Sequence, residues 1–211
     1  MWVQIAGIIN LDEALMIDKS NADSIGFVLG SHEGLTKKKA KEIIEKLSNP
    51  EKVVLITYCN TEKDVREKVE YLGINFVQLH RKTEISEIKK LRKSIPKLKI
   101  IKSVNVTGKE SIEEAKKYEK YVDFIILDTY DPETGKRGAT GKIHDWNISR
   151  EIVEKTRVPI ILAGGLNPEN IVEAIKKVNP WGVDVHSGVE DKNGIKSPER
   201  VKIFIERAKG V

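Results

Sequence analysis

One cysteine, Cys59, stands in 211 residues, which excludes an intrachain disulfide and a cysteine-built metal site. Aromatic residues make up only 6%, and Trp2, Trp146 and Trp181 fall in no aromatic-basic alternation that would stack nucleic-acid bases. They read as packing groups. No apolar run approaches the roughly 20 residues of a membrane span. Met1 leads straight into a strand-like segment, without a cationic stretch, apolar run and cleavage site, so the expected location is the cytoplasm with no membrane partner. The first glycine turn, Gly7-Ile8-Ile9-Asn10, lacks the Gly-x-Gly-x-x-Gly of a dinucleotide-binding open sheet. Charge of one sign is also in short supply: 37 Lys and Arg against 32 Asp and Glu leave +5. The lysines interleave with glutamates, as in Lys37-Lys38-Lys39-Ala40-Lys41-Glu42, the pattern of a solvated helix face, and no nucleic-acid partner is expected.

What the chain does have is a repeated alternation. Apolar, β-branched runs predict strands near Val3–Ile8, Ser24–Leu29, Lys52–Thr57, Phe76–Leu79, Lys99–Val104, Phe124–Leu127, Pro159–Ala163 and Gly182–His186. Charged stretches with a period near 3.6 predict helices at Leu11–Lys19, Lys37–Leu47, Glu62–Leu72, Glu84–Ser94, Ser111–Glu119, Glu169–Lys177 and Glu199–Ala208. Continuous hydrophobic strands are buried on both faces, and eight of them with intervening helices close most economically as a barrel. The fold expected is α/β, a single (β/α)8 TIM-barrel domain over residues 1–211.

Two segments near the end carry the chemistry. Gly164-Gly165-Leu166-Asn167-Pro168-Glu169-Asn170 and Gly182-Val183-Asp184-Val185-His186-Ser187-Gly188-Val189-Glu190 each run from a short strand into a glycine turn and a helix start. In the last two βα loops of a barrel, such turns converge backbone N–H groups on an anion. The expected partner is a phosphorylated small molecule.

These segments resemble the phosphoribosylanthranilate isomerases of tryptophan biosynthesis. So do Ala6-Gly7-Ile8 with Asn10-Leu11-Asp12-Glu13-Ala14, Ala22-Asp23-Ser24-Ile25-Gly26-Phe27, Phe76-Val77-Gln78-Leu79-His80, Leu127-Asp128, and Thr140-Gly141-Lys142 with Asp145-Trp146, all in order along the chain. The resemblance implies an Amadori rearrangement of a phosphoribosylated amine to its ketose form, without cofactor or metal. An acid protonates the furanose ring oxygen, and a base removes the proton of the adjacent sugar carbon. It makes Asp128 the acid and places Gly164, Gly165, Ser187 and Gly188 at the phosphate, with Asp184, Gln78 and His80 on the substrate.

The base is where the sequence departs. The family reads Lys-x-Cys-Gly where this chain reads Gln4-Ile5-Ala6-Gly7, so Ala6 occupies the base position and a methyl group accepts no proton. His186, on the same strand face as Asp184 and beside the first strand in a closed barrel, is the candidate replacement base, its imidazole entering the space vacated at Ala6. The rival role for His186 is a hydrogen bond to the phosphate or a nearby carboxylate. His80 is a second candidate with a structural alternative, and Cys59 follows the wrong strand. His144 takes a place usually held by Phe. The family's arginine clamp for the anthranilate carboxylate is missing from Gly30-Ser31-His32-Glu33-Gly34-Leu35, leaving His32 or Lys37 as weaker cations, while Arg81 replaces a glycine after His80. Two readings stay open: an isomerase with a rebuilt base, or a paralogue that binds or isomerises a different phosphorylated sugar. A homodimer is compatible with either.

Overall fold

A computed structural model describes residues 1–30, 35–129 and 143–211. Its eight parallel strands are β1 (Trp2–Ala6), β2 (Ser24–Leu29), β3 (Val53–Thr57), β4 (Phe76–Leu79), β5 (Lys99–Val106), β6 (Phe124–Thr129), β7 (Ile160–Leu162) and β8 (Gly182–Val185). They pair in chain order and close, β1 on β8, into a barrel. Around them run α1 (Leu11–Asp18), α2 (Lys37–Ile44), α3 (Glu62–Leu72), α4 (Ile85–Ser94), α5 (Glu110–Tyr118), α6 (Trp146–Lys155), α7 (Ile171–Val178) and α8 (Pro198–Lys209). The (β/α)8 expectation holds.

Local chemistry explains the boundaries. Asn10, Thr36, Thr61, Asp145 and Ser197 each accept a backbone N–H with their side chains at a helix start. β1 ends at Ala6, not Ile8, because Gly7 turns to φ +76°. β6 runs one residue past Asp128, to Thr129. α6 lies outside the helical stretches that charge periodicity marks, although the Asp145 cap and buried Trp146, Ser149 and Ile152 repeat at helical spacing. β8 leads into a 3₁₀ turn, Ser187–Val189, before the longer α8.

Alternate residues of each strand face helices or lumen. The outward set joins the helices in the main core, with Ile5, Ile25, Phe27, Leu55 and Phe204 fully buried. The inward set forms a separate cluster of Ala6, Val54, Ile56, Ile101, Ile126, Ile161 and Ala163. Trp2 and Trp181 stack at 5.4 Å beside Phe124, so both are packing groups as expected. Inside the lumen lies one polar layer. Ser24 Oγ donates to Gln4 Oε1 (3.0 Å), and Gln4 Nε2 donates to Gln78 Oε1 (3.1 Å) and Asp184 Oδ1 (2.9 Å). It forms the floor of the site.

Candidate active site

Above that floor, at the C-terminal ends of the strands, opens a cavity of about 430 Å³. Among its lining residues are Gly164, Gly165, Ser187, Gly188, Gln78, His80, Asp128, Asp184, His186 and Ala6, so these ten expected residues face one space.

The two glycine loops touch each other beside that space. Gly164 and Gly165 both have positive φ (+80° and +67°), which lets the chain double back after β7. The turn is pinned by Asn170, whose Nδ2 donates to Gly165 O (2.9 Å) and whose Oδ1 accepts from Asn167 N (2.9 Å). A Cβ on Gly188 would lie 1.9 Å from Leu166 O, so only glycine allows the loops after β7 and β8 to meet.

Beside them, on β6 and β8, stand two buried carboxyls. Asp128, 6% exposed, accepts from Thr129 N (2.8 Å). Burial pushes its pKa above the ordinary carboxyl range, with His80 and the Thr129 amide pulling partly back. Asp184, 8% exposed, is pushed up to about 7 by burial, opposed by the Gln4 hydrogen bond, assisted by Asp128 and opposed by Lys196.

His186 reaches the mouth but not quite as anticipated. Its ring lies against Gly7 rather than over Ala6, with Nε2 2.0 Å from where a Gly7 Cβ would sit. Nε2 is 3.6 Å from Glu190 Oε1, which also pairs with buried Lys196 Nζ at 2.5 Å, and Lys196 Nζ donates to His186 O (3.0 Å). Lys196 N donates to Glu13 Oε1 and Ile9 N to Glu13 Oε2, so one buried glutamate ties this segment to the loop after β1. Burial first, then the Lys196 charge, lower the His186 pKa to about 4, against the pull of Glu190. The ring is neutral at pH 7.

The remaining expectations separate. Lys37 Nζ lies over the Tyr71 ring (4.5 Å) on the outer face and does not reach the mouth, and His32 with Thr140-Gly141-Lys142 lies outside the described residues. Arg81 is exposed after β4, its guanidinium 5.8 Å from the ring of cavity-lining Tyr58, which packs edge-on to His80 at 5.0 Å. Cys59 is partly buried, its Sγ accepting from Lys68 Nζ (3.1 Å). His144 sits behind the site: Nδ1 is 3.1 Å from Thr129 Oγ1 and Nε2 2.7 Å from Ser149 Oγ. Burial lowers its pKa to about 4. Among the described residues, no group of three or more His, Cys, Asp or Glu is placed to hold a metal, and no helix is long and apolar enough to cross a membrane.

Tyr58, Gln4 and Lys196 were not anticipated. For Tyr58 the signal was present, since it continues the inward alternation of Val54 and Ile56 past the end of β3.

Comparison with known proteins points to one family. The profile of the N-(5'phosphoribosyl)anthranilate (PRA) isomerase family matches residues 3–207. N-(5'-phosphoribosyl)anthranilate isomerase 2 of Methanosarcina mazei is 41% identical over 213 aligned positions, covering 99% of this chain and 94% of the relative. A solved structure of monomers generated from the dimeric phosphoribosylanthranilate isomerase of Thermotoga maritima superposes with a TM-score of 0.85 at 32% identity, over 100% of both chains. Another, a phosphoribosylanthranilate isomerase in complex with reduced 1-(o-carboxyphenylamino)-1-deoxyribulose 5-phosphate, gives 0.84 at 32% identity, again over 100% of both.

Proposed function

The chain belongs to the N-(5'-phosphoribosyl)anthranilate isomerase family and is an isomerase, and from that premise we propose how its own residues rearrange N-(5'-phosphoribosyl)anthranilate to the open-chain ketose. The observation that carries the reading is the shared cavity: the glycine cradle and the buried Asp128 carboxyl, its pKa raised by burial, line one space.

The phosphate dianion docks against Gly164, Gly165, Ser187 and Gly188. Asp128 gives its proton to the furanose ring oxygen, and the bond from that oxygen to C1 breaks as the nitrogen lone pair forms C=N. A base then takes the C2 proton; the C–H electrons form C1=C2, and the C=N pair returns to nitrogen. The resulting enol loses its hydroxyl proton and gains one at C1, giving the ketone. Two proton acceptors near position 6 line the cavity, His186 and Asp184, and they are the candidates for taking the C2 proton. With the phosphate at the loops after β7 and β8, the aryl end crosses toward Tyr58 and Arg81, and the Arg81 guanidinium supplies the positive charge its carboxylate needs. Because such a phosphorylated sugar does not cross membranes unaided, the reading places the enzyme in the cytoplasm. The dimeric T. maritima relative supports a homodimer.

Purified protein is expected to convert freshly generated phosphoribosylanthranilate, followed by loss of its fluorescence, and to complement a strain lacking the isomerase. Gly188→Ala is expected to weaken competitive inhibition by inorganic phosphate at least ~10-fold. Phosphate binding without turnover would reject the isomerase in favour of the binding-only reading.

A further inference from the structure

Position 6 offers no proton acceptor, and the two candidates near it differ in how they are held. His186 is turned aside: Nε2 lies against Gly7 and toward Glu190, and its main-chain carbonyl is fixed by Lys196. Asp184 sits on the strand that pairs with β1, directly opposite Gln4 and two residues deeper than Ala6, with its carboxyl on the cavity wall.

We infer that Asp184 is the base that removes the C2 proton, and that the neutral pair Gln4 and Ala6 equips it for the task. This rests on the isomerase reading above and deepens it. The small Ala6 methyl leaves room above the carboxyl, and the single amide of Gln4 orients Oδ1 at 2.9 Å without supplying a charge. Among the described residues, β1 presents the neutral amide of Gln4 to Asp184, backed by that of Gln78 from β4, β6 presents Asp128, and the segment before α8 presents Lys196, while His80, just past β4, faces Asp128. Desolvation and the neighbouring Asp128 keep the Asp184 carboxylate basic near neutral pH, whereas His186, at about 4, holds a proton only weakly. In the step itself, the C2–H bond breaks, its proton bonds to an Asp184 oxygen, and its electron pair forms C1=C2. Ring opening leaves Asp128 ionised beside the Asp184 carboxylate, and that second charge raises the proton affinity of Asp184 until the C2 proton is taken up.

The test uses the full chain with freshly generated phosphoribosylanthranilate, comparing wild type with Asp184→Asn, His186→Ala and Gln4→Lys. Asp184→Asn is expected to lower kcat by ~10²–10⁴-fold with phosphate inhibition within about threefold of wild type. It should also enlarge the primary isotope effect on C2-deuterated substrate, a readout that impaired ring opening alone would not move. His186→Ala is expected to lose less than ~10-fold. Gln4→Lys places a cation against Asp184 and is expected to move the acid limb of the kcat profile to lower pH. Turnover within ~10-fold of wild type in Asp184→Asn, or loss of ~100-fold or more in His186→Ala with Asp184→Asn unimpaired, would overturn the assignment and leave the isomerase reading standing. A wild-type chain that turns over no substrate would overturn both.

Discussion

Asp184→Asn should make this protein more stable at pH 8 while removing its activity. The ordinary aspartate value is 3.8, and in the folded chain Asp184 is raised to about 7. A carboxyl whose folded value lies above its unfolded value favours the fold fully below pH ~4, and that contribution is lost as pH rises toward about 7. At 1.36 kcal/mol per pH unit, the wild type at pH 8 carries a penalty with a ceiling of about 4 kcal/mol. Asparagine keeps an oxygen to accept from Gln4 Nε2, fills nearly the same volume and never ionises. The stability gain of the variant should therefore be near zero at pH 4, grow between pH 4 and 7, and level off above. For a chain of this size the plateau corresponds to a Tm increase on the order of 10 °C. Denaturant unfolding of both proteins from pH 4 to 9 measures it, and the difference between the two curves cancels every other titrating group. A gain that did not vary with pH, or a variant less stable than wild type at pH 8, would show that Asp184 is not a desolvated carboxyl forced to ionise, and the argument for its basicity would fall with it.

Two more perturbations probe other parts of the site. Arg81→Ala removes the cation beside Tyr58 and is expected to raise KM for phosphoribosylanthranilate about 10-fold, the loss of one charged contact, with kcat within about threefold. A kcat loss at unchanged KM would separate Arg81 from carboxylate binding. His144 is 8% exposed and lowered from 6.5 to about 4, so its contribution is present above pH 6.5 and lost as pH falls toward 4. His144→Phe is expected to abolish up to about 3 kcal/mol of that acid sensitivity. Unfolding curves at pH 7 and 4 that lose equal stability in both proteins would refute it.

Much of this molecule is legible in its sequence because barrel strands are continuous apolar runs and their turns need glycine. Gly188 is an example: its role is dictated by a carbonyl 1.9 Å from a hypothetical Cβ, and its neighbours in sequence already mark a tight turn. The inward direction of Asp184 and His186 followed from strand alternation alone. What alternation does not contain is where a side chain at the end of a strand leans. His186 was expected to fill the gap at Ala6, yet Glu190 and Lys196, four and ten residues further on, draw it over Gly7. Lys37 was a reasonable mouth cation by loop position, but the first residue of a helix here faces the neighbouring helix and its Tyr71. Helix α6 is faint in the charge periodicity because its apolar positions are few, and the cap at Asp145 is its stronger signal.

The two departures on β1 make physical sense together. A cation at position 4, in register with Asp184, would hold that carboxyl ionised and weakly basic, a good partner for a separate base at position 6. With alanine at 6, such a cation would leave the cavity wall without a strong acceptor. Glutamine at 4 keeps the hydrogen-bonded floor, through Ser24, Gln78 and Asp184, but withdraws the charge, so the cost of desolvation falls on Asp184 itself. That cost is the instability expected at pH 8, and it is also the source of proton affinity at the mouth: one unfavourable burial accounts for both.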